Sequence, residues 1–152
     1  MINVYSQSLS KIIAFANEVS SQLSIEKEPQ NLYRPICHIV NNKGKQIRSI
    51  LALLTYDMFG RDINDLKEII LAIEGLHNFT LIHDDVMDNS PLRRGEETIN
   101  KKWSNNQAIL SGDVLLIQSY QYLLASKISN NIILKDFTNT AILICEGQQL
   151  DF

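Results

Sequence analysis

The chain has 152 residues, 45% of them hydrophobic, with 14 basic and 17 acidic side chains and a net charge of -3. This length suits one domain, and the apolar share excludes a disordered or low-complexity chain. The mild acidity gives no support to bulk nucleic-acid binding, which wants a basic face, and no apolar run reaches the length of a membrane span.

The opening Met1-Ile2-Asn3-Val4-Tyr5 has no basic stretch followed by an apolar run. No secretion leader is expected, and the expected location is the cytoplasm. Glycine and proline number only 6 and 3, and Leu and Ile dominate the apolar residues. The class expected is therefore all-α. Cys37 and Cys145 stand far apart without metal-ligand spacing and read as two buried, reduced thiols.

Leu9, Ile12, Ile13, Ala16, Val19 and Leu23 recur at helical spacing and predict a first amphipathic helix. Glu28-Pro29-Gln30-Asn31 breaks it. A second helix is predicted from Leu32 to Val40, then a turn at Asn41-Asn42-Lys43-Gly44. A third runs from about Lys45 to Met58, with Gly60 as its stop and Asp62 or Asn64 capping the next start. A long helix from about Asp65 to Asp88 carries Ile69, Ile70, Ile73, Leu76 and Phe79, and Asn89-Ser90-Pro91 ends it. Pro91-Leu92-Arg93-Arg94-Gly95 reads as a loop. Further helices are expected from about Asn105 to Ser126 and from near Ser129, the latter still running at Phe152. A helix of that length normally packs against something further along a chain.

The chemistry concentrates at the end of the long helix. Asp84 and Asp88 stand four apart on one face, with Asp85 a step round the same end. At a separation of about 6 Å two such carboxylates repel by roughly 3 kcal/mol at an effective dielectric near 20. The helix dipole is negative at this end and disfavours each by about 0.3–1 kcal/mol more. Acid placed there suits a hard cation such as magnesium, bridging to a phosphate. A solvated acidic helix end is the alternative reading.

Several cations surround the acids. Arg93 and Arg94 follow on the loop, where guanidinium forks match phosphate oxygens or else form surface salt bridges with the acids. Lys45 and Arg48 share a face where a turn enters the third helix, an anion site in outline. His77 lies seven residues before Asp84, on nearly the same side, whereas His83 reads as structural. Gln148 and Asp151 are three apart on one face of the last helix, in reach of a metal, its water or a phosphate, or else part of a solvated stripe.

The run from Glu74 to Asp88, Glu-Gly-Leu-His-Asn-Phe-Thr-Leu-Ile-His-Asp-Asp-Val-Met-Asp, resembles the first aspartate-rich motif of the trans-isoprenyl diphosphate synthases. Pro91-Leu92-Arg93-Arg94-Gly95 resembles the arginine pair that follows it in that family. Lys43-Gly44-Lys45-Gln46-Ile47-Arg48-Ser49 resembles the family's Gly-Gly-Lys-Arg-x-Arg-Pro segment, departing from it at Lys43, Gln46 and Ser49. The stretch from Asn106 to Asp113 and Gly147-Gln148-Gln149-Leu150-Asp151 match two further signatures.

The resemblance implies an antiparallel helical bundle of the isoprenoid synthase type, with residues 1–152 as the N-terminal half of one all-helical prenyltransferase domain. It implies a polyprenyl diphosphate synthase of farnesyl or geranylgeranyl type, active as a homodimer on isopentenyl diphosphate and an allylic prenyl diphosphate, with no nucleic-acid partner. By the same resemblance Asp84, Asp88 and Asp85 hold magnesium, Arg93 contacts the allylic diphosphate, and Lys45, Arg48, His77 and Arg94 bind isopentenyl diphosphate. Gln148 and Asp151 lie on the far wall of the cleft. Phe79 and Thr80, one turn above the acids, limit the growing chain, and bulky Phe79 points to a short product.

Family chains are about twice as long and carry a second aspartate-rich motif, so the 152-residue polypeptide alone is expected to be inactive. Two competing readings remain at this point. One is a terpene cyclase of the same fold, against which the second set of cations argues. The other is a catalytically inactive short helical subunit.

Overall fold

The periodic apolar segments form helices, as their spacing requires. The structure, a computed structural model, describes residues 2–42 and 44–151, with side chains from residue 8 onward. The described residues form seven α-helices: α1 Ile2–Ser21, α2 Gln30–Asn41, α3 Ile47–Met58, α4 Lys67–Met87, α5 Ile99–Lys102, α6 Asn105–Ala125 and α7 Asn131–Leu150. The sequence departure at Lys43 lies outside the described residues.

Local chemistry moves the helix boundaries by one or two residues from the sequence expectation. Gln46 sits in the left-handed region (φ 48°), so α3 begins at Ile47 and not at Lys45. Gly60 follows α3 at φ 68°, a conformation that costs glycine little. Asp62 is the cap that forms. Its carboxylate accepts from Asn64 N at 3.0 Å and opens a short 3-10 turn, Ile63–Leu66, which delays α4 to Lys67. Asn130 Oδ1 accepts from the backbone N–H groups of Ile132 and Ile133 at 2.9 and 3.1 Å, which sets the start of α7 at Asn131. Such caps contribute about 1 kcal/mol each.

The expected loop at residues 91–95 is the tip of a small hairpin. Strand β1 (Leu92–Arg93) pairs antiparallel with β2 (Glu96–Glu97), Arg93 opposite Glu96. Period-based reading misses two-residue strands, and it also misses α5.

Helices α4 and α6 share the most extensive contact of the fold, and α1, α3 and α5 also touch α4 while α2 packs on α6. Small residues allow the close approach. A Cβ on Gly112 of α6 would stand 2.5 Å from the His83 ring of α4. Ile12, Ala16, Val19, Leu23, Ile36, Leu53, Ile70, Ile82 and Leu115 are buried in one core, and each large side chain there contributes about 1.5–3 kcal/mol.

The buried line of α4 is unusual because it is partly polar. Glu74, Asn78 and Asp85 lie on it, beside Leu71, Gly75 and Ile82. By contrast α7 has no buried residue. One tie of α7 to α6 is the edge-on contact of Phe137 with Tyr120, ring centroids 5.4 Å apart. Cys37 is half-buried and Cys145, on α7, is exposed; both are free thiols. This corrects the expectation of two buried cysteines, because α7 is covered on too little of its surface to bury Cys145. No helix among the described residues is long and apolar enough to cross a membrane.

Candidate functional site

Helix α4 presents candidate site residues on two sides. On one, Gly44, Lys45, Arg48, Glu74, His77 and Arg94 line a pocket of about 520 Å³ together with parts of α1, α2 and α3. The four cationic or imidazole residues expected to act together, Lys45, Arg48, His77 and Arg94, are thus brought to one cavity from three separate segments. Arg48 Nη1 lies 3.2 Å from His77 Nε2. Arginine can only donate, so Nε2 accepts and the His77 proton resides on Nδ1. Burial, then the charges of Arg48, Arg94 and Arg93, push His77 down from 6.5 to about 4. His77 is therefore a neutral donor at physiological pH, not a cation.

Glu74 balances this cluster. It is 5% exposed and accepts a hydrogen bond from the Ser49 hydroxyl; burial, then Arg93, holds the Arg94 pKa below its usual value, and the Glu74 charge opposes that fall. The Ser49 departure from the family's proline therefore supplies a donor to a buried carboxylate.

On the other side, Phe79, Thr80, His83, Asp84 and Met87 of α4 face Ile144, Cys145, Gln148 and Gln149 of α7 across a cavity of about 240 Å³. Gln148 thus lies opposite Asp84. Asp151 caps the end of α7, exposed, and does not line this cavity. Phe79 packs on the His83 ring (centroids 4.6 Å). His83 Nε2 donates to Ile109 O at 3.2 Å, tying α4 to α6, in keeping with its structural reading.

The three aspartates do not point alike. Asp88 is the exposed C-cap of α4, and Asp84 is half-buried. Burial raises the Asp84 pKa; Arg93 and His83 oppose the rise, while Asp88 and Asp85 add to it. Asp85 turns inward and is 4% exposed. Its Oδ2 accepts from Arg93 Nε at 2.8 Å, and its buried Oδ1 has no partner among the described residues. Among those residues no three carboxylate, imidazole or thiol groups converge to hold a metal. A magnesium ion that keeps its waters needs only one or two carboxylates plus phosphate oxygens. Asp84, partly desolvated and repelled by Asp88, and the exposed Asp88 four residues on are oxygen donors that fit that need.

Arg93 and Arg94 link the two sides from the hairpin. Arg93 reaches Asp85, and Arg94 Nη1 donates to Asn42 O at 2.7 Å beside the first pocket.

A sequence model described as Polyprenyl synthetase matches residues 29–152. The chain belongs to the polyprenyl synthetase family. It is 36% identical to the geranylgeranyl pyrophosphate synthase of Geoglobus acetivorans over 89% of this chain and 43% of that protein. It is 40% identical to the all-trans-nonaprenyl-diphosphate synthase (geranyl-diphosphate specific) of Rhodobacter capsulatus over 74% of this chain and 34% of that one. The crystal structure of geranylgeranyl pyrophosphate synthetase from Pyrococcus horikoshii Ot3 superimposes with a TM-score of 0.86 at 30% identity, covering 95% of this chain and 46% of that one. The chain spans less than half the length of the curated relatives it matches.

Within this family fold, several site residues escaped sequence reasoning. Glu74 was legible in principle, since it precedes His77 by three and so shares its face. Ile144 and Cys145 carry no signal, because only the docking of α7 brings them to the cavity. Asn42 lies in what reads as an ordinary turn.

Proposed function

We propose that the protein is a magnesium-dependent trans-prenyltransferase that condenses isopentenyl diphosphate with an allylic prenyl diphosphate. Residues 1–152 supply the N-terminal half of its single helical domain. The observation that carries this reading is the division of α4. Lys45, Arg48, His77 and Arg94 gather on one side, Asp84 faces Gln148 on the other, and consecutive arginines connect them. Two separate seats for anionic groups suit a reaction that joins two diphosphates, whereas a cyclase needs one.

In this reading the guanidinium groups of Arg48 and Arg94, the Lys45 ammonium and the Nδ1–H of neutral His77 hold isopentenyl diphosphate. Asp84 and Asp88 would hold magnesium, which supplies positive charge to the allylic diphosphate as its carbon–oxygen bond breaks. Arg93, its Nε committed to Asp85, keeps its two Nη groups for that same diphosphate. The double bond of isopentenyl diphosphate then attacks the allylic cation, and the proton lost passes to the released diphosphate. No protein nucleophile takes part. Phe79 bounds the cavity beneath Asp84, which supports a product of farnesyl to geranylgeranyl length. Identity alone does not set that length, since the relatives include both a geranylgeranyl and a nonaprenyl synthase.

The proposal includes a homodimer. Leu110, Ile117 and Leu124 recur every seven residues along α6 and are 56%, 60% and 75% exposed. A seven-residue apolar stripe suits a second helix of the same kind.

The test supplies labelled allylic diphosphate and magnesium to the protein as its gene encodes it, with and without isopentenyl diphosphate. An elongated prenyl diphosphate formed only with both substrates is expected. Hydrocarbon released without isopentenyl diphosphate would overturn the reading. The isolated 152-residue polypeptide, which spans less than half the length of those relatives, is expected to show negligible turnover.

A further inference from the structure

The turn between α2 and α3 contacts both arginines of the hairpin. Asn42 closes α2, its N–H donating to His38 O at 3.2 Å while its own backbone leaves the helical region (φ -80°, ψ 70°). From there it makes two bonds of opposite sense. Its side-chain Nδ2 donates to Arg93 O at 2.9 Å. Its main-chain oxygen accepts from Arg94 Nη1 at 2.7 Å. One residue thus fastens the backbone of one arginine and the guanidinium of the next.

Gly44 completes the seat. A Cβ there would stand 2.5 Å from Arg94 Nη2 and 2.6 Å from its Cζ, so the missing side chain is what lets the guanidinium lie against the turn. The hairpin needs such fastening. Arg94 has φ 54° and Gly95 φ 84°, and a non-glycine residue persists in that region only when its surroundings hold it. The hairpin itself is two residues per strand, too short to hold two long side chains in place.

We propose that Asn42 is a positioning residue for both diphosphate seats, fixing Arg94 in the pocket with Lys45, Arg48 and His77 and Arg93 against Asp85. This rests on the prenyltransferase reading of those seats. Asn42 touches no reacting atom. It sets where the two guanidinium groups stand relative to each other, and so the separation of the two bound diphosphates. An amide is required at this position because the partner is a carbonyl oxygen: aspartate offers no donor, and alanine offers nothing.

The test compares Asn42→Ala, Asn42→Asp and Gly44→Ala in the protein as its gene encodes it. Steady-state kinetics with both substrates and amide hydrogen exchange at residues 92–95 are the two readouts. For both Asn42 variants the KM values for the two diphosphates should rise together by about five- to tenfold, with kcat changing less. Exchange at residues 92–95 should quicken. Gly44→Ala displaces only the flexible end of Arg94, so it should raise the isopentenyl diphosphate KM and spare the allylic one. A fall in melting temperature with both KM values unchanged would make Asn42 a helix cap only and overturn the proposal. A rise in one KM alone for the Asn42 variants would overturn the double role. If the wild-type protein transfers no prenyl group, the functional reading fails. Exchange at residues 92–95 then still decides whether Asn42 fastens the hairpin, and unchanged exchange would overturn it.

Discussion

The two sides of α4 are finished to different degrees. Toward α1–α3, the pocket walls are tied together by hydrogen bonds between distant segments: Ser49 to Glu74, Arg48 to His77, and Arg94 to Asn42. Toward α7, Asp84 and Phe79 face a helix without a single buried residue. The contrast teaches that the side carrying Lys45, Arg48, His77 and Arg94 is held together by contacts among the described residues themselves. On the carboxylate side, the far wall rests on a helix whose apolar residues Ile142, Leu143 and Leu150 remain 50%, 65% and 85% exposed. In the proposed reading the first side binds a diphosphate with little reordering, because its walls are already joined by hydrogen bonds.

The comparison breaks most readily at Asp84. Asp84→Ala should lower kcat by about two to three orders of magnitude through lost stabilisation of the leaving diphosphate, with the affinity for isopentenyl diphosphate unchanged by calorimetry. An equal loss of that affinity would show that the two sides are not independent. Arg48→Ala tests the opposite side. It should raise the isopentenyl diphosphate KM by about ten- to a hundredfold while leaving the allylic KM within about twofold.

Phe79→Ala sharpens the reading of the α7 cavity. Removing the ring should lengthen the product by at least one isoprene unit, read by chromatography of the dephosphorylated alcohols. An unchanged product would move the floor of the cavity elsewhere.

The smallest effect expected is a pH dependence of stability set by His77. Its pKa is lowered from 6.5 to about 4 in the fold, so on acidification the unfolded chain takes up this proton first. The stabilising contribution is complete above pH 6.5 and is lost as pH falls from 6.5 toward 4. Over that window the wild-type melting temperature should fall faster than that of His77→Gln, by roughly a few degrees after solvent screening. Parallel curves would mean that the imidazole is charged in the fold.

Much of this architecture was legible because helices announce themselves through a 3.6-residue apolar period. Ile12, Ala16, Val19 and Leu23 belong to the helical spacing that predicts the first amphipathic helix, and they are buried. Leu9 and Ile13, read from the same pattern, are 42% and 38% exposed, because spacing fixes a face and not how far the neighbouring helices extend over it. The acids and cations were equally legible, since their residue types and order carry the family resemblance.

The direction of each aspartate was not legible. One residue along a helix turns a side chain by about 100°, so the step from Asp84 to Asp85 passes from the α7 cavity to the buried contact with Arg93, and only the packing of α4 decides which carboxylate stays open. Glu74 is buried with a partner 25 positions away, and Asn42 bonds residues 51 and 52 positions away. The sequence by itself determined which residues form the helices and which chemistry they can support. Tertiary structure decided which of those groups meet, because contacts across such separations depend on how the helices pack and not on any local period.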